Sequence, residues 1–150
     1  MAKKRKPRKR KPEGFILDAS VALAWCFSDE ADPYADAVAR KLPHVGAVVP
    51  VIWHLEVANA LVVGERQGRC DQADTSSWTT YLSALPITVE DQHGPRVFRD
   101  VMALARARNL SVYDASYLEL ARRRDLPLAT LDGRLKDAAA AVGVEPFDPG

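Results

Sequence analysis

Four carboxylates interrupt otherwise apolar stretches: Asp18 directly after Phe15-Ile16-Leu17, Glu56 within the run 51–63, Asp114 at the start of a helical pattern, and Asp132 just past Thr130. Singly, each has an ordinary use. Asp18 and Asp132 suit helix N-caps, Asp114 suits the acidic arm of a capping box, and Glu56 can reach water from a helix. The last is the least comfortable, because one turn to either side of Glu56 stand Ile52, Trp53, Asn59 and Ala60. A glutamate on so apolar a face lies at the edge of the stripe or points at something buried that wants an anion, and Asn59 can donate a hydrogen bond that orients it. Four acids converging without basic partners repel one another and raise their own pKa values unless a cation neutralises them. Oxygen-only ligands suit hard Mg²⁺ or Mn²⁺ rather than zinc. His44, His54 and His93 have neither mutual spacing nor a cysteine partner for a zinc site.

Convergence requires elements that bring these positions to one edge. Residues 15–17 are β-compatible, and Asp18-Ala19-Ser20 offers oxygens to a helix beginning near Val21. Asp32-Pro33 signals a helix over YADAVARKL, and VGAVVP, 45–50, predicts a second strand. Helices follow over 51–67, ending near Gly68, and over 71–85, stopped by Pro86. A third strand is expected at 87–89, then a helix to about Arg108. Ser111-Val112-Tyr113-Asp114 fits a capping box ahead of ASYLELARRR. Residues 126–130 read as a strand, Asp132-Gly133 opens the helix RLKDAAAA, and 144–147 reads as a last edge strand. This alternation predicts an α/β fold, a parallel sheet of about five strands between layers of helices. Sites in such sheets lie outside the carboxyl ends of the strands, where strand order reverses, so Asp18, Asp114 and Asp132 can face one crevice.

A chain of 150 residues, 47% hydrophobic and 27% charged, fits one domain with its own core. No apolar run approaches the roughly 18 residues of a membrane span, and the basic start lacks the apolar core of a secretory signal. Cys26 and Cys70 indicate neither a disulfide framework nor a metal site, so a reducing, cytoplasmic setting is expected. The net charge of +1 conceals an asymmetry: KKRKPRKRK, residues 3–11, holds eight of the 21 basic residues and no acid. The remainder carries thirteen basic against twenty acidic residues, a net of −7. Such a run, with Pro7 and Pro12, predicts a disordered arm over 1–12 ahead of a domain at 13–150, suited to phosphate backbones or simply to solubility.

Taken as a set, ILDASVALAW with Asp18, WHLEVANAL with Glu56 and Asn59, LSVYDASYLELA with Asp114, and LPLATLDGRL with Thr130 and Asp132 resemble the PIN-domain metal-dependent ribonucleases, specifically VapC-like toxins of toxin–antitoxin pairs. The motifs stand in the family's order and spacing from Phe15 onward; the basic arm is a departure, since such compact toxins usually lack one. The resemblance implies that Asp18, Glu56, Asp114 and Asp132 form an acidic cluster holding one or two Mg²⁺ or Mn²⁺ ions. RNA phosphodiester bonds would then be hydrolysed by metal-activated water with no covalent protein nucleophile. Asp18 and Asp114 would bind metal directly, Glu56 would bind metal or orient water, and Asp132 would bind a second ion or act through water. Ser20, Asn59 and Thr130 would hold the carboxylates by hydrogen bonds or serve only as caps and turn residues. Arg134 and Lys136 are candidates for phosphate contact or for a solvated helix face. The resemblance further implies a cognate antitoxin whose basic segment enters the acidic crevice, and a homodimer, for which Trp25, Trp53 and Trp78 are anchors unless they are core.

Two readings stand beside the toxin: a housekeeping PIN nuclease in RNA processing and a catalytically silent PIN module that binds RNA or protein. The silent module fits less well, because all four acids are present. A phosphoacceptor receiver domain would need a lysine soon after a late strand, whereas Thr130 is followed by Leu131-Asp132-Gly133. A haloacid-dehalogenase-like phosphatase would need Asp-x-Asp where this chain has Asp18-Ala19-Ser20.

Overall fold

The computed structural model describes residues 14–150, so the basic arm predicted over 1–12 lies outside the described residues. Chain order alternates as expected: β1 (Phe15–Leu17), α1 (Ala19–Cys26), α2 (Pro33–Val45), β2 (Ala47–Pro50), α3 (Ile52–Arg66), α4 (Gln72–Ser83) and β3 (Ile87–Glu90). There follow α5 (Gly94–Arg96), a π-helical turn (Val97–Val101), α6 (Met102–Arg108), α7 (Val112–Arg124), β4 (Leu128–Ala129) and α8 (Gly133–Ala141).

Local chemistry explains most boundaries. Asp32 caps α2, its Oδ1 accepting from Tyr34 N at 2.8 Å and Ala35 N at 3.3 Å, with Pro33 in the first turn. The helix runs through Pro43 to Val45, which the sequence assigns to a strand, and stops at Gly46, whose φ of 73° suits a residue without Cβ. A reciprocal capping box forms at Asp71 and Asp74, at the start of α4. At α7 only half of the predicted box exists: Ser111 Oγ accepts from Asp114 N at 3.0 Å, and the Asp114 carboxylate makes no return bond.

All four strands are parallel, in the order β3-β2-β1-β4, flanked by helices. The predicted fifth strand is reduced to one bridge, Leu128 to Pro146. Leu128 N donates to Glu145 O and Phe147 N to Leu128 O, but Pro146 has no N–H with which to extend the ladder. Phe147 instead stacks on Phe15 at 3.9 Å.

The order places β1 between β2 and β4, so the chain builds outward to β3 and then returns to the far side of β1. Strand order therefore reverses at β1, the position at which an open parallel sheet leaves a crevice. Phe15, Ile16 and Leu17 are fully buried there, and α7 contributes buried Ala115, Tyr117, Leu118, Leu120 and Ala121. Burial of each larger aliphatic side chain is worth about 1.5–3 kcal/mol. Helix α3 is held to the end of α1 at Gly64, where a Cβ would stand 2.8 Å from the Phe27 ring. Trp53 is core, and Trp25 and Trp78 pack against the core rather than standing out as surface anchors. Among the described residues no helix is long and apolar enough to cross a membrane.

Candidate active site

Asp18 stands where a cap for α1 would stand, yet its side chain makes no capping bond. It is 5% exposed, and its Oδ2 accepts from Ser20 Oγ at 2.6 Å and from Thr130 Oγ1 at 2.8 Å. Each hydroxyl is itself held: Ser20 Oγ accepts from Leu131 N, and Thr130 Oγ1 accepts from Asp132 N, both at 3.0 Å. Hydroxyls and backbone from the ends of β1 and β4 thus lock one carboxylate at the switch point. Burial drives the Asp18 pKa upward, the two hydroxyl bonds oppose this, and Asp114 and Asp132 push it further up.

Asp132, by contrast, does cap its helix, Oδ1 accepting from Arg134 N at 2.9 Å and Leu135 N at 3.4 Å. Asp114 is freed by the missing half of its box; burial first, then Asp132, raises its pKa, against opposing influences from Ser111 and Arg134. Glu56 comes from α3. Burial, followed by the neighbouring Asp18 charge, pushes its pKa up to about 7, with Tyr117 opposing and Asp114 adding a smaller push.

Glu56, Asn59, Ser111 and Asp114 line one groove of about 410 Å³, walled by Ile52, Leu55 and Tyr113. Glu56 Oε1 is buried without a hydrogen-bond partner, so Asn59 does not orient it at that oxygen. The Tyr117 hydroxyl, absent from the residues that sequence alone singles out, is likewise buried without a well-formed hydrogen bond, although it is close enough to Glu56 to hold that carboxyl's pKa down. Each such atom costs about 1–3 kcal/mol unless something satisfies it. A signal for it exists in the chain: Tyr117 lies three residues after Asp114 on α7 and so shares its face.

The basic candidates lie differently. Arg134 is exposed, donates from Nη2 to Asn109 O at 3.1 Å, and remains near enough to Asp114 to favour its ionised form. Lys136 borders another groove with Leu128, Thr130 and Pro146. A wider groove of about 580 Å³ is lined by Arg96, Arg123 and Glu119, whose charges already pair with one another.

Among the described residues no three His, Cys, Asp or Glu side chains are gathered into a ready-made metal cage. The donor chemistry nevertheless fits Mg²⁺ or Mn²⁺. Mg²⁺ keeps several waters and is held by one or two carboxylates plus substrate phosphates. Here carboxylates raise one another's pKa values, and one oxygen, Glu56 Oε1, is buried and unpaired.

Comparison with known proteins agrees with this architecture. The family model described as PIN domain matches residues 15–141. Ribonuclease VapC3 of Pyrobaculum aerophilum is 26% identical over 127 residues, covering 85% of this chain and 95% of that protein. The crystal structure of PAE2754 from the same organism superposes with a TM-score of 0.67 at 25% identity, over 89% of this chain and 83% of that one. A toxin–antitoxin complex from Klebsiella pneumoniae shares the fold, with a TM-score of 0.56 and 19% identity over 91% and 98% of the two chains.

Proposed function

The chain belongs to the PIN-domain family, and from that premise we propose that it is a metal-dependent endoribonuclease acting at the crevice of Asp18, Glu56, Asp114 and Asp132. One observation carries the reading. Asp18 is a buried carboxylate at the strand-order reversal, held by Ser20 and Thr130 hydroxyls instead of capping α1. A structural acid at that position would cap the helix or pair with a base, and Asp18 does neither.

Asp18 and Asp114 would hold a divalent ion, with Glu56 and Asp132 completing the oxygen set. When bound, such an ion polarises a phosphodiester and lowers the pKa of water, which makes a covalent protein nucleophile unnecessary. The chain's own contributions follow from its geometry. Ser20 and Thr130 keep Asp18 Oδ2 in one orientation, which outer partners of ligands commonly do. Glu56 would either join the ion's oxygen set or orient the attacking water. Arg134, beside Asp114, would contact incoming phosphate.

The toxin assignment rests on the four motifs and on similarity to ribonuclease VapC3. It makes RNA the substrate and an antitoxin protein the partner, a basic segment of which would complement the acidic crevice, in the cytoplasm. Wild type and Asp18→Ala are to be incubated with total RNA and Mg²⁺ or Mn²⁺. Wild type is expected to cleave and the variant to lose cleavage by at least about a hundredfold; equal cleavage by both overturns the mechanism.

A further inference from the structure

Two of the four acids directly follow a large apolar residue left exposed: Leu55 precedes Glu56 on α3, and Tyr113 precedes Asp114 on α7. Leu55 is 64% exposed and Tyr113 62%, and both line the groove that holds Glu56 and Asp114. The lining of that groove divides by chemistry, with Ile52, Leu55 and Tyr113 apolar and Glu56, Asn59, Ser111 and Asp114 polar. The turn that carries Tyr113 is fixed, since Ser111 Oγ accepts from Asp114 N and Ser116 Oγ donates to Tyr113 O. Its ring pairs with no other aromatic ring among the described residues.

A ribonucleotide divides in the same way, into an anionic phosphodiester and a flat base joined through one ribose. A phosphodiester drawn to the acids leaves its base within reach of the apolar lining of the same groove. Only an unpaired base can turn to meet it, because aromatic side chains stack on bases that have left a duplex. Whatever covers Tyr113 lies at the reacting atoms, since Asp114 is its chain neighbour, and the substrate is the molecule that must be there. Stacking also needs no charge, which suits a body that carries a net −7 outside residues 3–11. We propose that Tyr113 is a substrate-binding residue whose ring, beside Leu55, stacks on an unpaired base next to the cleaved bond. The inference rests on the ribonuclease reading above and adds to it the side chain that holds the base.

The test uses the full chain with Mn²⁺, on total RNA and on a synthetic RNA spanning a bond that wild type cuts. kcat/KM is measured for wild type, Asp18→Ala, Tyr113→Ala and Tyr113→Phe, on that RNA and on copies with an abasic ribose on either side of the bond. Tyr113→Ala opens no core cavity, because the side chain is exposed. It is expected to lower kcat/KM about five- to a hundredfold, the range for losing one stacked base, while Tyr113→Phe, which keeps the ring, stays within about threefold of wild type. One of the abasic copies should slow wild type by a similar factor and slow Tyr113→Ala by less than about twofold, since ring and base form one contact. Tyr113→Ala cutting like wild type, or an abasic penalty equal in both proteins, overturns the proposal. Tyr113→Phe failing as Tyr113→Ala does also overturns it, by making the hydroxyl and not the ring responsible. A change of oligomeric state in Tyr113→Ala, read by light scattering at the assay concentration, overturns it by making the ring a contact between copies. Wild type and Asp18→Ala cutting equally removes the ribonuclease reading and this one with it. That outcome is distinct from an inactive Asp18→Ala beside a Tyr113→Ala that matches wild type, which removes the stacking alone.

Discussion

Asp18 and Asp132 occupy equivalent N-terminal positions on α1 and α8, and only Asp132 uses its side chain as a cap. The difference is one of partners: Thr130 and Ser20 reach Asp18 Oδ2 before any backbone N–H does. The acids were legible as residue types, whereas Tyr117 was hidden, because an aromatic within an apolar helical stripe is fully accounted for as core. Glu56 gives this scale its measurable consequence. Its pKa lies near 4.5 in an unfolded chain and about 7 in the folded one, so between these values the folded state holds a proton that the unfolded state has lost. Its contribution to stability is therefore complete below about pH 4.5 and disappears as pH rises through about 7. Metal-free wild type should lose more stability than Glu56→Gln between about pH 5 and about pH 8 in urea titrations. Parallel pH dependences would show that Glu56 ionises normally.

At the scale of elements, α7 bears Asp114 and Tyr117 and must be held against the sheet. Glu119, buried on the same helix, accepts from Arg123 Nε at 2.9 Å, lies 3.5 Å from Arg96 Nη1, and accepts from Gln92 Nε2. Arg123 continues to Glu90 at the end of β3 at 2.9 Å. Removing Glu119 leaves Arg123 with Glu90 alone and Arg96 and Gln92 without this partner, so Glu119→Ala should destabilise by about 2 kcal/mol in denaturant titration. The Asp29–Arg69 pair is of similar length, 3.0 Å, but its aspartate side chain is 70% exposed, and Asp29→Ala should leave stability nearly unchanged. Equal losses would show that burial does not decide the difference. Caps, breakers and apolar spacing located the helices on the path to the site, since all are properties of neighbouring residues. The π-helical turn and the truncated fifth strand were not visible in them. The former does not alter composition, and the latter depended on Pro146 meeting Leu128 across the sheet edge.

For the whole molecule, charge is the governing quantity. Outside residues 3–11 the chain carries a net −7, which opposes approach of an RNA polyanion. The eight basic residues of KKRKPRKRK are then the obvious source of attraction, acting through counterion release. Deleting residues 2–11 should weaken RNA binding and flatten its dependence on salt, by about 0.7 in slope for each phosphate that the arm no longer neutralises. Titrations at several salt concentrations in a cleavage-deficient background measure both. An unchanged affinity and slope would assign RNA binding to the folded body alone.

What the amino-acid sequence determined by itself was the set of acids, their chain order, the alternation of strands and helices, and the PIN-domain resemblance, since these rest on residue type and local spacing. Tertiary structure alone decided what each polar atom does. Thr130 and Asp18 are 112 residues apart in the chain and 2.8 Å apart in the fold. That pairing arises because β4 returns beside β1, and it turns a capping aspartate into a carboxylate held at the crevice. The same return to β1 brings α7 over the sheet and sets the Tyr117 hydroxyl beside Glu56, a meeting that no periodicity within either helix encodes.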